Sequence, residues 1–153
     1  MNRMFLVFVS FFIITSASAD DGLITKKSQF GPGETLDRLE AVLEKKGITI
    51  FARISHTRGA EGVGIELRPT ELLIFGNPKL GSHFFTSRQT AGIDLPMKAL
   101  AWEDANGQVW LTYNDPQYIA GRHGIDDREA IVQKMTGALD SLTNAATRAQ
   151  QGQ

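Results

Sequence analysis

The sequence contains no cysteine among its 153 residues. The chain therefore forms no disulfide bond, offers no thiol nucleophile and has no cysteine ligand for a metal ion. Histidine is also scarce: His56, His83 and His123 stand apart, and none has a second histidine or a carboxylate at the helical spacing of a zinc-binding motif. We therefore expect no bound cofactor, and a metal site only if folding brings distant histidines together.

Long apolar runs are lacking except at the N-terminus. There Arg3 precedes an apolar run over 4–14 that only Ser10 interrupts, and Ala17-Ser18-Ala19 has the small-x-small pattern of a cleavage site. The run is shorter than the roughly 20 residues of a membrane-spanning helix. A cleaved leader over residues 1–19 is therefore favoured over a membrane anchor, and the absence of cysteine excludes a lipid-anchored lipoprotein. We expect a periplasmic or secreted protein with no membrane association after cleavage.

Neither sign of charge is in excess. The chain has 16 lysines and arginines against 17 aspartates and glutamates, a formal net charge of −1. Loss of the leader removes Arg3 and makes the net charge −2. The lysine doublets Lys26-Lys27 and Lys45-Lys46 are isolated in the sequence, so they predict no basic patch. These features argue against nucleic acid and anionic membranes as the main partner, and we expect neither.

The stretch from Arg68 to Pro96 is the centre of the predicted fold. A short apolar run over 72–75, bounded by Pro69 and Gly76, predicts a buried strand over 71–76. A helix is predicted directly after it, because Asn77 is a good cap and Pro78 at the first helical position leaves no N–H unpaired. The apolar face of this helix carries Leu80, Phe84 and Phe85, and its end is expected near Ala91-Gly92.

Hydrophobic periodicity predicts the remaining elements. A period of two predicts strands over 23–30, 48–55, 99–103 and 109–113, whereas a period near 3.6 predicts helices over 34–46 and 126–146. Poor alternation in the first strand indicates an edge position. Asn106-Gly107 predicts a hairpin turn, Asp126 with Glu129 predicts a capping box, and Asp115-Pro116 starts a short turn or helix.

The predicted order is β-α-β-β-α-β-β-α, with one helical turn in the glycine-rich segment 56–64. This order indicates an α+β fold, a two-layer sandwich in which helices cover a mixed, mostly antiparallel sheet of about five strands. Residues 20–147 are expected to form a single domain, and residues 148–153 a frayed tail.

Several motifs resemble the domain of unknown function 302 family. They cover most of the chain after residue 20, in order, and comprise Arg68-Pro69-Thr70-Glu71-Leu72-Leu73-Ile74-Phe75-Gly76-Asn77-Pro78, Gly81, Ile93-Asp94-Leu95-Pro96-Met97-Lys98, His56, Ala60, Gly62, Glu103-Asp104, Gly107 and Tyr113-Asn114-Asp115-Pro116. The resemblance implies a small α+β domain, often a homodimer, with no established activity. The sequence departs from the family over Ser82–Phe85, so His83 inherits no role from the resemblance.

Candidate functional residues lie around the glycine-rich loop and after the central helix. We expect Arg58, Arg68, Asp94 and Lys98 to line the rim of a binding pocket for a small molecule or a partner. The favoured hypothesis is a non-enzymatic, homodimeric binding module. Two aromatic faces are candidates for its dimer interface, with core packing as the usual alternative for such stripes: Trp102, Trp110 and Tyr113, or Phe84 and Phe85.

Two alternatives remain open. One is an enzyme that uses His56 as a general acid or base, oriented by Asp94 or Glu66. The other is a metal-binding or stress-response protein that uses His56 and His83. A serine hydrolase is not favoured, because Ser82 and His83 are adjacent in a predicted helix and point apart. The structural alternative is that these polar groups only cap helices and stabilise turns.

Overall fold

The computed structural model describes residues 21–149, so the predicted leader and residues 150–153 of the predicted tail lie outside it. It has an α+β fold, as the sequence predicts. The strands are β1 (Leu23–Lys27), β2 (Thr49–Ser55), β3 (Thr70–Gly76), β4 (Met97–Glu103) and β5 (Val109–Asn114), and the helices are α1 (Pro32–Lys45), α2 (His56–Glu61), α3 (Pro78–Ser87), α4 (Pro116–His123) and α5 (Glu129–Thr147), with a 3-10 helix over Gln89–Ile93.

The five strands form one sheet in the order β1-β5-β4-β3-β2. The expectation of a mixed sheet was wrong, because every pair of neighbouring strands is antiparallel. The reason lies in the connection from β3 to β4. Helix α3 and the 3-10 helix begin after Gly76 and end before Met97, and these two residues lie at the same end of the sheet. β1 occupies an edge, as its poor alternation predicted.

Helices α1 and α5 pack on one face of the sheet and bury its apolar side chains. The core is formed by alternate residues of the three central strands and by one stripe from each helix. Its members include Leu36, Leu39 and Leu43 of α1, Leu73 and Phe75 of β3, Met97, Ala99 and Ala101 of β4, Leu111 and Tyr113 of β5, and Val132, Met135, Leu139 and Ala146 of α5.

The opposite face of the sheet, which we call the open face, is only partly covered. Trp102 of β4 and Trp110 of β5 stack on it with their ring centroids 6.5 Å apart. Both indole N–H groups are satisfied locally, Trp102 by the Thr112 hydroxyl at 2.9 Å and Trp110 by the Asp104 carboxylate at 2.8 Å. The other apolar members of this face are Leu23, Ala52, Ile54, Leu72, Ile74 and Leu100.

Two predicted helix ends differ from the structure. Helix α3 ends at Ser87, not near Gly92, because Arg88 is extended and turns the chain so that Ala91 is buried in the 3-10 helix. Helix α5 begins at Glu129, and Asp126 does not cap it. The chain before α5 follows a non-helical path that buries Ile125, which delays the start of the helix.

The predicted cap of α3 and the predicted hairpin turn are both present. The Asn77 carboxamide accepts from the Lys79 backbone N–H at 2.9 Å and so begins α3. The hairpin turn between β4 and β5 has Gly107 at φ +75°, a conformation that glycine adopts without steric cost.

Candidate functional site

A polar cluster joins α4 to the 3-10 helix at the end of the sheet where β4 begins. Helix α4 starts at Pro116, capped by the Asp115 carboxylate, and ends where Gly124 takes the left-handed conformation at φ +65°. His123 is therefore the last residue of α4, next to Asp94, the residue after the 3-10 helix. We call Thr90, Asp94, Arg122 and His123 the His123 cluster.

The four side chains of the His123 cluster form a continuous chain of contacts. His123 Nε2 lies 2.7 Å from Asp94 Oδ2, and His123 Nδ1 lies 3.0 Å from Thr90 Oγ1. Arg122 Nη1 donates to the other carboxylate oxygen of Asp94 at 3.1 Å. Asp94 thus accepts from two neighbouring residues of α4, which fixes the 3-10 helix against the end of that helix.

The hydrogen-bond directions in the His123 cluster follow from the chemistry of its groups. The carboxylate of aspartate accepts hydrogen bonds, so Nε2 of His123 is assigned the hydrogen that Asp94 accepts. In the neutral imidazole the other nitrogen, Nδ1, is then an acceptor, and the hydroxyl of Thr90 donates to it. The side chains of His123 and Asp94 are only 7% and 12% exposed, whereas Thr90 is exposed.

A separate apolar cavity of about 180 Å³ lies between the helical layer and the same end of the sheet. Its lining comes from β2, β3, α3, the start of β4 and α5. The lining residues are Ile48, Phe51, Phe75, Gly76, Asn77, Pro78, Leu80, Gly81, Ser82, Phe85, Leu95, Pro96, Met97, Met135, Ala138, Leu139 and Leu142. Only Asn77 and Ser82 bring polar side chains, so the cavity suits an apolar group.

Phe51 and Gly76 border the cavity at an irregularity in the sheet. The register between β2 and β3 shifts between Ile50 and Ala52, which leaves Phe51 53% exposed at the mouth of the cavity. A Cβ atom added at Gly76 would lie 3.4 Å from both the Phe51 ring and Pro96 Cβ. Glycine at this position therefore keeps space between the two rings.

The residues predicted around the glycine-rich loop lie at the other end of the sheet. His56, Arg58 and Glu66 are exposed, and Arg68 Nε donates to the Glu103 carbonyl at 3.1 Å. Ser55, just before His56, is in register with Ala101 through Glu71, whereas Asp94 precedes Met97. At about 3.3 Å per strand residue, these two ends of β4 are about 13 Å apart. The structure therefore does not bring His56 and Asp94 together.

Asp94 and Lys98 are in contact, but Lys98 binds the backbone carbonyl of Asp94 and not its carboxylate. Lys98 Nζ donates to the Asp94 carbonyl at 3.0 Å and to the Pro96 carbonyl at 3.1 Å. His83 is exposed on α3, which follows β3 at the Gly76 end of the sheet, whereas His56 follows Ser55 at the opposite end of β2. Within residues 21–149, no group of three or more histidine, aspartate or glutamate side chains is arranged to hold a metal ion.

Sequence reasoning missed both the His123–Asp94 pair and the cavity. The two paired residues are 29 positions apart, so no local pattern links them. The one local signal is Arg122-His123-Gly124, basic residues before a helix-ending glycine, and such residues also stabilise the helix dipole without any partner. The cavity was missed because its wall combines several elements whose relative positions depend on the tertiary fold.

Comparison with known proteins identifies the family. The model of the family described as "Domain of unknown function DUF302" matches residues 24–142. The chain belongs to this family. A crystal structure of an uncharacterized conserved DUF302 protein from Bacillus stearothermophilus has the same fold, with a TM-score of 0.75 and 21% identity over 84% of this chain and 100% of that one.

Curated relatives of this DUF302 chain are longer proteins. A protein of Brucella suis named fluoride-specific ion channel FluC 1 is 45% identical over 120 residues, which are 77% of this chain and 47% of the relative. A protein of the same name from Brucella abortus is also 45% identical over 120 residues, 44% of its length. The chain thus spans about half the length of the curated relatives it matches. No helix within residues 21–149 is long and apolar enough to cross a membrane.

Proposed function

We propose that this DUF302 chain is an exported, homodimeric binding domain that holds a small apolar ligand in its cavity. The observation that carries the proposal is the cavity of about 180 Å³, whose lining is apolar except for two side chains. An apolar cavity of this kind is not stabilised by water, because water needs several polar partners. An apolar group that fills the space gains both transfer free energy and packing contacts.

The size of the cavity limits the ligand. An engineered cavity of about 150 Å³ binds benzene, so a ring or a short branched chain of similar size suits this one. Burial of about six carbon atoms contributes at most about 5 kcal/mol, at roughly 0.8 kcal/mol each, so the Kd is expected to be no lower than about 0.1 mM. Asn77 and Ser82 supply polar groups for one end of such a ligand.

The test compares ligand binding by the wild-type protein with binding by two variants in which an alanine of α5 is replaced by phenylalanine. Ala138 lines the cavity and is exposed, so Ala138→Phe fills the space without disturbing the core. Ala130 is exposed on the same helix and is not part of the lining, which makes Ala130→Phe the matched control. NMR titration with toluene and indole should shift signals of the lining residues in wild type and in Ala130→Phe. Equal binding by Ala138→Phe would overturn the proposal.

The homodimer is proposed on the open face. The central residues of this face, such as Ile74, Leu100 and Trp102, are apolar and half-buried, and Lys98 directs its ammonium to backbone carbonyls. The lysines of this face are Lys98 and, at the β1 edge, Lys27, so its centre is apolar and two copies can pack there without opposing like charges. Trp and aliphatic side chains also suit an interface core.

Sedimentation equilibrium tests the dimer. Ile74→Lys adds a charge to the centre of the open face and should convert the dimer to a monomer. Ile93→Lys is the control, because Ile93 is 74% exposed on the 3-10 helix and does not belong to the open face. A wild-type protein that sediments as a monomer at high concentration, or a dimer that only Ile93→Lys disrupts, would refute this interface.

Export is proposed on the leader pattern of residues 1–19. N-terminal sequencing of the protein from the periplasmic fraction should begin at Asp20. Recovery of the uncleaved chain from the cytoplasmic fraction would refute the export proposal.

A second candidate function is suggested by the relatives. Proteins named fluoride-specific ion channels contain a segment 45% identical to this chain within a longer polypeptide. Domains joined in one protein commonly act together, so the second candidate is a soluble partner of a fluoride channel. Deletion of the gene should then increase the sensitivity of growth to fluoride but not to chloride, and plasmid-borne wild type should restore growth. Unchanged fluoride sensitivity would refute this candidate.

A further inference from the structure

We propose that the Thr90 hydroxyl is a nucleophile toward activated esters, with His123 as its general base and Asp94 as the positioning residue. The geometry on which this rests is the chain of two hydrogen bonds, 3.0 Å from Thr90 Oγ1 to His123 Nδ1 and 2.7 Å from His123 Nε2 to Asp94 Oδ2. A hydroxyl within hydrogen-bond reach of an imidazole that a carboxylate orients has the arrangement of an activated nucleophile.

Burial distinguishes the roles of the three side chains. The imidazole of His123 is 7% exposed and the carboxylate of Asp94 is 12% exposed, so a substrate has little access to either. Thr90 is exposed and is therefore the member of the chain that a substrate can reach. Arg122 supports the same geometry by binding the second oxygen of Asp94 at 3.1 Å, which leaves Oδ2 for His123.

The reaction is an acyl transfer in two steps, acylation of Thr90 and hydrolysis of the acyl-threonine. Thr90 Oγ1 forms a bond to the ester carbonyl carbon, its proton passes to His123 Nδ1, and the bond from that carbon to the alcohol oxygen breaks. His123 then returns the proton to the departing alcohol oxygen. In the second step water attacks the acyl-threonine with the same transfer of its proton, and the Thr90 hydroxyl is restored.

The substrate class is an ester of a small apolar acid. The 3-10 helix that carries Thr90 also carries Gly92, where an added Cβ atom would lie 3.9 Å from Cε1 of Phe85, a cavity residue. The 3-10 helix therefore borders Phe85, one wall of the cavity, and the acyl chain of an ester bound at Thr90 is placed on that side. This preference for the acyl chain rests on the ligand site proposed above, whereas the nucleophilic role of Thr90 does not.

The experiment treats the purified protein with p-nitrophenyl acetate and p-nitrophenyl butyrate. Release of p-nitrophenolate is followed by absorbance, and the acyl group is mapped by mass spectrometry of peptides. Label is expected on Thr90. Thr90→Val, which removes the hydroxyl and keeps the shape, should lower the rate by about 100-fold or more, and Thr90→Ser should restore both rate and label. Thr86→Val is the matched control, because Thr86 is exposed and its hydroxyl donates to the His83 carbonyl of its own helix.

The positioning role of Asp94 has its own measurement. Asp94→Asn should lower kcat by about 100-fold or more with KM unchanged, because orientation of the imidazole matters in the transition state and not in substrate binding. His123→Asn should lower the rate as much as Thr90→Val does, since residues that act as one unit do not have additive effects. If the His123 variant does not fold, the two variants of exposed Thr90 still decide the role of the hydroxyl.

An unchanged rate of p-nitrophenolate release in Thr90→Val would overturn the inference. So would an acyl group found only on lysines. A third contrary result is an Asp94→Asn variant that loses thermal stability but keeps the kcat of wild type. Because p-nitrophenyl acetate has almost no chain to fill the cavity, labelling by this ester tests Thr90 independently of the ligand site. If both esters label Thr90 at equal rates and toluene does not bind, the proposed ligand site is rejected. The nucleophilic role of Thr90 is then still supported.

Discussion

Lys26 on the edge strand β1 is bound to Asp140 on α5, with Nζ 2.7 Å from the carboxylate Oδ1. The same ammonium donates to the Asp140 carbonyl at 2.9 Å and to Asn144 Oδ1 at 3.0 Å, so three acceptors surround its three hydrogens. The Lys26 side chain is only 14% exposed. A lysine that looks like part of a basic doublet in the sequence therefore joins the edge of the sheet to the helical layer.

We expect Lys26→Met to weaken this junction in a pH-dependent way. The hydrogen bond from Lys26, with its charge, lowers the pKa of Asp140. The resulting stability is present above the unfolded-state pKa of about 3.9 and is lost as the pH falls through the lower folded-state value. Lys26→Met should therefore lower the free energy of unfolding by about 1 kcal/mol near pH 7 and by less near pH 2.

Urea unfolding at both pH values measures this effect. Lys27→Met is the matched control, because Lys27 is the next residue of β1, is exposed and lies on the other face of the strand. An equal loss of stability at both pH values, or an equal loss in Lys27→Met, would contradict the prediction.

Arg53 on β2 stabilises the other edge of the helical layer. Its guanidinium donates to the Asp37 carboxylate on α1, to Glu71 Oε2 on β3 at 2.9 Å and to the Gly33 carbonyl at 3.1 Å. Lysine carries the charge but cannot reproduce this fork of donors. Arg53→Lys should lower the free energy of unfolding by about 1 kcal/mol in urea titrations. Arg58→Lys, at an exposed site on α2, should stay close to wild type.

The neighbours Phe84 and Phe85 on α3 are expected to differ strongly in how much an alanine substitution lowers the free energy of unfolding. Phe84 is fully buried, whereas Phe85 is 36% exposed and borders the cavity. Phe84→Ala leaves a void in the core and should lower the free energy of unfolding by about 3–5 kcal/mol. Phe85→Ala should lower it by about 1 kcal/mol or less. Thermal and urea unfolding of the two variants compare them directly, and similar losses would contradict the assigned burial.

Ionisation of Asp104 in the β4–β5 turn should change the fluorescence of Trp110. The Trp110 indole N–H donates to its carboxylate at 2.8 Å, and this bond is the main reason that the pKa of Asp104 is lowered. The ionised form is therefore favoured in the fold, and the bond is weakened only as the pH falls below the usual aspartate range, about 3.9. Trp110 fluorescence in Trp102→Phe should change in that acidic range.

The Asp104→Asn substitution in the same Trp102→Phe background is the control for this titration. It removes the ionisable group at the turn, so the acidic change in Trp110 fluorescence should disappear. A transition that persists in the double variant would assign it to another group or to unfolding.

The local elements of this fold were predictable from the sequence because their signals are local. Asn77 and Pro78 begin α3 through their own backbone chemistry, and the periodicity of α1 follows from the helical repeat alone. The break at Arg88 was not predictable, because it depends on the burial of Ala91 against neighbours distant in sequence. The same helical signals that favoured a longer α3 are present on both sides of that break.

The candidate site was predicted only in part for the same reason. Asp94 was selected, but its partner was expected to be His56, which lies at the other end of the sheet. The order β1-β5-β4-β3-β2 decides which loops share an end, and no property of a single strand contains that order. His123 had no distinguishing local pattern, so only the tertiary fold connects it with Asp94.

The position of β1 also determines when the fold can close. β1 is the first strand to be made, and its partner is β5, with Leu23 in register with Asn114. A chain that emerges from its N-terminus onward keeps β1 without a neighbour until nearly the whole domain has appeared. Hairpin-like pairs among β2, β3, β4 and β5 close shorter loops, whereas β1 closes the longest one. Completion of the sheet is therefore a late event in a chain that is made from its N-terminus onward, because β1 must wait for β5.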